Sequence, residues 1–251
     1  MERERQVPGR LDSKGPPIRI RHPASSTGNP VSRRQLLLAS IGTAGVWAVS
    51  SAWGKTVENL CLLTPPQTEG PYYPPQAQID ALLDKDNDLT QVKGKTGRAI
   101  GQVIYILGQV RDSHCRPIEG ALLEIWQASA NGRYNHPRDR FNPAPLDPHF
   151  QYWGKTITDQ EGRYLFKTIM PGRYQAGPGW IRPSHVHFTI HEPDHQELTT
   201  QMYFAGDPYH QKDYILNDVP PAERKRVIVE LEEPGREHEP NSRLCRFDLT
   251  L

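Results

Sequence analysis

Short runs of alternating apolar and polar residues, separated by glycine and proline, fill the chain from Gly101 onward. Side chains of a strand point alternately to opposite faces, so such runs predict strands rather than helices. In the run 121–127, for example, Leu123 and Ile125 share one face, whereas Glu124 and Trp126 lie on the other. The predicted strands cover residues 103–110, 121–127, 152–158, 163–169, 184–190, 199–204, 226–231 and 244–251. Their number and spacing predict an all-β protein, a β-sandwich of mostly antiparallel strands.

The fourth predicted strand follows a turn sequence, Asp159-Gln160-Glu161-Gly162. We expect this turn to close a β-hairpin between the strands on either side of it. Within the strand, Tyr164 and Phe166 occupy the same face.

Two segments before residue 101 lack strand patterns. Residues 53–100, which we call the arm, contain the proline-rich stretch from Thr64 to Pro75. Proline has no backbone donor, so this stretch is excluded from helices and central strands and must lie extended on the core. We expect residues 1–52 to be a disordered leader with a signal segment, and residues 101–251 to be the catalytic sandwich domain.

The leader is similar to a twin-arginine export signal. Arg33 and Arg34 directly precede an apolar run from Leu36 to Val49, which is followed by small residues, and residues 1–30 are polar and proline-rich. The run has 14 residues, fewer than the ~20 that span a bilayer. We therefore expect export, to the periplasm, and no stable membrane span; an uncleaved anchor is the alternative, and the cleavage position stays open.

Charge and cysteine content narrow the classes of function. Residues 1–52 hold eight of the 30 Lys and Arg and three of the 29 Asp and Glu, which leaves a net charge near −4 on the remainder. No basic surface for nucleic acid is therefore expected. The three cysteines are far apart and fit no CxxC metal motif. An oxidising compartment permits one disulfide among them, but the sequence does not choose the pair.

Candidate chemistry lies in the segment Arg182-Pro183-Ser184-His185-Val186-His187. On a strand His185 and His187 project to the same face, so their imidazoles can bind one metal ion. The alternative is a pair of half-exposed histidines on a sheet surface.

The surrounding motifs resemble those of the intradiol ring-cleavage dioxygenases, the family of protocatechuate 3,4-dioxygenase and catechol 1,2-dioxygenase. The resemblance covers roughly residues 60–215, and its motifs occur in the family's order: they are residues 120–134, 158–169, 174–187 and 200–208.

The resemblance implies one Fe(III) per chain, with Tyr134, Tyr174, His185 and His187 as its ligands. Phenolate is a hard donor that favours ferric iron, whereas two histidines and a carboxylate favour Fe(II). The implied reaction opens a catechol-type ring between its hydroxylated carbons with O2, giving a muconate-type dicarboxylate.

The resemblance also implies roles for neighbouring side chains. Tyr174 leaves the iron and accepts a substrate proton, Arg182 stabilises the developing ring anion, and Gln201 hydrogen-bonds nearby. Tyr72 of the arm lines the substrate pocket. Family members commonly associate into homo-oligomers, but the sequence leaves the oligomeric state of this chain open.

Several alternatives remain open. Tyr134 and Tyr174 could be packing aromatics, Tyr72 could only pack, and Arg182 could pair with Glu161 or Glu192. Tyr164, His191, His195 and His210 are expected to be structural or exposed.

The whole domain could instead be a non-catalytic carboxypeptidase-regulatory-like β-sandwich module, or an intradiol fold that has lost its iron. Gln175 stands where the protocatechuate enzymes have an aromatic residue, and the interval before His185 is about two residues shorter than theirs. The ring substituents are therefore open.

Overall fold

A computed structural model describes residues 61–192 and 197–251 of the chain. The predicted leader and export signal, the first residues of the arm, and His195 lie outside the described residues.

In the described part the chain forms eleven strands and two short α-helices, as the β-rich prediction requires. The strands are Val103–Arg111 (β1), Leu122–Trp126 (β2), Trp153–Ile157 (β3), Arg163–Ile169 (β4), Tyr174–Gly177 (β5), Trp180–Arg182 (β6), His185–His191 (β7), Glu197–Phe204 (β8), Ile228–Val229 (β9), Arg243–Arg246 (β10) and Leu249–Thr250 (β11). The helices are Gln76–Ala81 (α1) and Tyr214–Asp218 (α2). Single 3-10 turns cover Pro137–Asp139, His210–Lys212 and Arg224–Arg226. Within the described ranges, no helix is long and apolar enough to span a bilayer.

Two sheets and a separate hairpin arrange these strands. In the first sheet β1 pairs antiparallel with β4 along one edge, and parallel with β10 and then β11 along the other. The second sheet has the order β3-β2-β7-β8-β9, and its pairs are antiparallel except for β8 with β9. Among the described strands, β5 and β6 pair only with each other. The sequence did not predict this small hairpin, because its residues carry no apolar alternation.

The two sheets pack face to face around one hydrophobic core. The first sheet contributes Ile106 and Phe166, and the second contributes Ile125, Val186 and Phe188, all of them fully buried. Side chains alternate along each strand, so every second residue of β2 and β7 points away from the core, to the outer face of the second sheet. The all-β sandwich prediction is confirmed.

The turn at Asp159–Gly162 is present, but the predicted hairpin is wrong. Gly162 donates its N–H to the Asp159 carbonyl and takes a φ of +70°, as a tight turn requires. The strands on either side, however, belong to different sheets, since β3 pairs with β2 and β4 pairs with β1. The turn therefore connects the two sheets. The residues of a turn do not reveal whether the strands that it joins pair with each other or belong to different sheets.

The described part of the arm contacts both sheets: Asp88 bridges Lys167 on β4, and Gln67 donates its backbone N–H to Thr199 on β8. Residues 61–75 form no helix or strand, as predicted, and α1 begins directly after Pro75. Tyr73 donates a hydrogen bond of 2.8 Å to Glu124 Oε2 on β2. This contact explains why a glutamate interrupts an otherwise apolar face of that strand: the arm covers it.

A disulfide between Cys61 and Cys115 ties the arm to the loop after β1, and Cys245 is buried as a free thiol. The bond links residues 54 positions apart and therefore restricts the unfolded chain.

We expect the double substitution Cys61→Ser and Cys115→Ser to lower the free energy of unfolding by about 2–4 kcal/mol. Urea denaturation followed by fluorescence would measure the change. Cys245→Ser serves as a comparison for loss of a thiol without loss of the cross-link, and equal stability of the double variant and the wild type would contradict the expectation.

Candidate metal centre

Strand β7 presents two histidines on the outer face of the sandwich. Val186 between them points into the core, whereas His185 and His187 are only 2% and 1% exposed on the opposite side. Their placement on one face matches the sequence prediction. The alternative of half-exposed surface histidines is wrong, because the arm and the β5–β6 hairpin cover them.

Two tyrosines reach the same place from different elements. Tyr134 lies in the long connection between β2 and β3, and Tyr174 begins β5. The Tyr134 backbone N–H donates to Asp139 Oδ2 at 2.7 Å, which fixes the loop. Gly132, with a φ of +82°, packs so closely on the Arg173 carbonyl that a side chain there would clash. Glycine thus allows the two tyrosine-bearing segments to meet.

The four side chains form one buried cluster. The Tyr134 hydroxyl lies 3.3 Å from His185 Nε2 and 3.2 Å from His187 Nε2. The rings of Tyr134 and Tyr174 pack edge to face with centroids 5.4 Å apart. All four predicted ligands are therefore assembled, although they come from three separate parts of the chain.

This donor set fits a metal ion. His185 Nδ1 lies 2.7 Å from the Pro183 carbonyl, an arrangement that places the proton on Nδ1 and leaves a lone pair on Nε2. The Tyr134 hydroxyl lies near Nε2 of both histidines but has only one proton to donate. At least one imidazole lone pair therefore stays without a donor from Tyr134. Within the described residues no group of three His, Cys, Asp or Glu forms an alternative metal site. Two phenols with two imidazoles are the set expected for ferric iron.

Burial sets the protonation of the cluster. It lowers the pKa of both histidines well below its ordinary value, and the Arg182 charge lowers it further, so both imidazoles are neutral ligands at neutral pH. Burial also raises the pKa of Tyr134 well above its ordinary value and that of Tyr174 to about 12. The phenols therefore keep their protons until a cation replaces them.

Aromatic rings enclose the cluster on two sides. Tyr72 of the arm stacks on Tyr134 with centroids 4.5 Å apart and meets the Tyr174 ring edge at 5.8 Å. Trp126, at the end of β2, stacks on His187 at 4.7 Å. Tyr72 thus packs directly against both tyrosines of the cluster. Sequence reasoning missed Trp126 as a site residue, although its place on the outer face of β2 was already visible.

Arg182 is buried beside the cluster, and its partners differ from those considered from sequence. Its Nη2 donates to Gln201 Oε1 at 2.6 Å and to the Tyr203 hydroxyl at 3.3 Å. Its Nε lies 2.8 Å from Asp213 Oδ1. The pairing with Glu161 or Glu192 is therefore wrong; Glu161 pairs with Arg163 instead.

Gln201 links this arginine to the arm. It is fully buried, accepts from Arg182, and donates Nε2 to the Thr68 carbonyl at 2.8 Å. The neighbouring Gln67 donates to the Gln201 carbonyl at 2.9 Å. The arm is consequently part of the wall of the site and not only a cover.

Tyr164, His191 and His210, which we expected to be structural or exposed, lie outside the cluster. Tyr164 is a core side chain that donates to Phe247, His191 is half-exposed beside Glu124 and Glu197, and His210 packs against Tyr203.

An open cleft of about 620 Å³ lies beside the cluster. Tyr174 of the cluster lines it, together with Tyr72 of the arm and Gln175 and Pro178 of the β5–β6 hairpin. Gln175 thus lies where a small molecule would approach the cluster.

Comparison with known proteins identifies the family of this chain. A family model described as Dioxygenase matches residues 68–251. The beta chain of protocatechuate 3,4-dioxygenase from Burkholderia cepacia is 43% identical over 159 residues, which are 62% of this chain and 67% of that protein. Catechol 1,2-dioxygenase from Pseudomonas sp. (strain EST1001) is 32% identical over 61% of this chain. The matched region spans about half the length of that relative.

Solved structures of dioxygenases share the fold of this chain. The dioxygenase domain of a dioxygenase and carbohydrate-binding protein fusion from Streptomyces sp. SirexAA-E is 28% identical with a TM-score of 0.54, covering 75% of this chain and 97% of that one. Catechol 1,2-dioxygenase from Pseudomonas arvilla C-1 is also 28% identical, with a TM-score of 0.56, over 74% of this chain and 61% of that one. The chain belongs to the intradiol ring-cleavage dioxygenase family.

Proposed function

We propose that this protein is an Fe(III)-dependent dioxygenase that cleaves a catechol-type ring between its two hydroxylated carbons and consumes O2. The observation that carries the proposal is the convergence of the Tyr134 hydroxyl with Nε2 of His185 and of His187, beside Tyr174, in a buried cluster. Membership of the family supports the reaction type. A non-catalytic sandwich module would have no need of these four residues.

Tyr134, Tyr174, His185 and His187 would hold one iron ion per chain. Bound there, ferric iron supplies Lewis-acid activation and orients the substrate's two oxygens.

Tyr174 would accept one proton from the substrate. Burial raises the pKa of its hydroxyl, which favours the protonated phenol there, and Tyr174 lines the cleft. Such proton transfer by a placed side chain contributes about 10²–10⁴-fold to a rate.

Arg182 would stabilise negative charge on the ring, since a buried guanidinium acts through a lower dielectric than one in water. Gln201 would hold that guanidinium by accepting from its Nη2. Tyr72, which lines the cleft, would contact the substrate ring.

We also propose export by the twin-arginine route to the periplasm. The support is the Arg33-Arg34 motif before its apolar run, together with the Cys61–Cys115 disulfide, since disulfides persist in oxidising compartments. The proposed partners are a catechol-type molecule and O2, with no nucleic acid, and association into homo-oligomers follows the family resemblance.

Purified protein loaded with ferric iron tests the function. We expect a broad visible absorption band from tyrosinate-to-iron charge transfer, and oxygen uptake with a panel of substituted catechols. Tyr174→Phe should shift the band and lower kcat/KM by about 10²-fold or more.

Tyr164→Phe is the matched control, because it removes the hydroxyl of another buried tyrosine, which lies in the core. It should leave the band and the activity unchanged. A colourless iron-loaded protein, with no oxygen uptake on any catechol, would overturn the proposed function and favour an intradiol fold without iron.

A further inference from the structure

Asp213 is a fully buried carboxylate that neither the sequence motifs nor the ligand set includes. It lies outside the two sheets, at the residue before α2, and its side chain is 0% exposed. One of its oxygens, Oδ2, accepts from the Leu216 backbone N–H at 3.1 Å. The other, Oδ1, accepts from Trp180 Nε1 at 3.1 Å and lies 2.8 Å from Arg182 Nε.

These contacts fix both ends of the carboxylate. Leu216 belongs to α2, whereas Trp180 and Arg182 stand at the two ends of β6. Asp213 therefore joins the helix to the strand that precedes the histidine pair.

The guanidinium of Arg182 is in turn contacted at two of its nitrogens. Asp213 Oδ1 forms an ion pair with Nε at 2.8 Å, without aligned hydrogen-bond geometry, and Gln201 and Tyr203 accept from Nη2. A guanidinium is planar and carries five donors in a rigid fork. The ion pair at Nε and the hydrogen bonds at Nη2 therefore restrict its orientation, and among the described residues Nη1 donates to no protein atom, which leaves it available to a ligand.

The buried charge of Arg182 also requires a partner such as Asp213. Arg182 is 2% exposed, and its positive charge acts on Tyr134, Tyr174 and both histidines of the cluster. A buried ion without a partner is costly, and removing one partner of a buried pair leaves the other uncompensated. Asp213 is the counter-charge that allows Arg182 to stay beside a cluster of cation ligands.

We propose that Asp213 is a positioning residue for the ring-cleavage reaction. It acts through Arg182, and holds Nε so that Nη1 faces the ring anion. This inference rests on the proposed function, and it adds a carboxylate that touches neither the substrate nor the ligands.

The first test is Asp213→Asn in the iron-loaded protein. Because a displacement of about 1 Å in a positioned group can cost about 10²-fold, we expect kcat to fall about 10- to 100-fold, with a much smaller change in KM. Iron content and the charge-transfer band should remain, since all four ligands are intact.

A double substitution separates positioning from a general structural role. Lysine at position 182 keeps the charge but lacks Nε and the planar fork. If Asp213 acts through Arg182, adding Asp213→Asn to Arg182→Lys should lower kcat no further than Arg182→Lys alone. Multiplication of the two single effects would overturn the proposal.

Trp180→Phe gives a milder variant for the case that Asp213→Asn does not fold. It keeps an aromatic ring but removes one hydrogen bond to Asp213 Oδ1. Because a single hydrogen bond contributes little net free energy, we expect kcat to fall about two- to tenfold. The control is Glu239→Gln, which removes a carboxylate paired with Arg98 and Lys167, away from the cluster. It should leave kcat unchanged.

Full activity in both Trp180→Phe and Asp213→Asn would overturn the proposal. Loss of the charge-transfer band in Asp213→Asn would also overturn it, because Asp213 would then act on the iron ligands and not through Arg182. Failure of the proposed function is distinguishable, since the wild-type protein itself would then show no ring cleavage.

Discussion

Replacing His187 with alanine is expected to abolish ring cleavage while leaving the fold intact. The substitution removes one of the four converging donors, and the remaining three hold iron weakly. We expect kcat/KM to fall by at least about 10³-fold, more than the 10- to 100-fold typical of a lost outer-shell partner of a metal site. Oxygen uptake, iron content and the visible band measured on one preparation would check this.

His191 provides a matched control for this substitution. It lies on the same strand and the same face, four residues further on, but is half-exposed beside Glu124 and Glu197. His191→Ala should keep the iron, the band and the activity. Equal losses in the two variants would mean that the face of β7 responds to any histidine deletion, and the ligand assignment would fail.

The second large effect is expected one residue away, at Phe188. Its side chain is fully buried between the sheets, with ring centroids 6.2 Å from Phe166 and 5.1 Å from Phe247. We expect Phe188→Ala to lower the free energy of unfolding by about 3–5 kcal/mol, because it removes buried apolar area and leaves a cavity. Urea denaturation would measure the loss.

Phe141→Ala is the comparison for this prediction, since Phe141 is 82% exposed. Its effect on stability should lie within about 0.5 kcal/mol. If Phe188→Ala were equally mild, the core packing described for the sandwich would be wrong at that position.

Together the two substitutions separate the roles of one strand. Alternation along β7 sends Val186 and Phe188 into the core and His185 and His187 to the site. The sequence predicted this division from period two alone, and it predicted most strands to within two residues. The pattern succeeds there because burial on one face is imposed by local periodicity.

Other features were not readable from a single segment. The β5–β6 hairpin has no apolar alternation, and the turn at Asp159–Gly162 has ordinary hairpin chemistry although it connects two sheets. The ion pair of Arg182 with Asp213 joins residues 31 positions apart, and nothing near either residue in the sequence selects the other as its partner.

By itself, the sequence determined the sandwich class, the shared face of the histidine pair, and, through ordered family motifs, the tyrosines expected to join them. Only the tertiary structure decided that the four side chains meet, that the arm forms a wall through Gln67 and Thr68, that Cys61 pairs with Cys115, and that Asp213 neutralises Arg182. The physical reason is that periodicity and turn chemistry act over a few residues, whereas charge compensation and donor convergence depend on which distant surfaces the packing of the two sheets brings together.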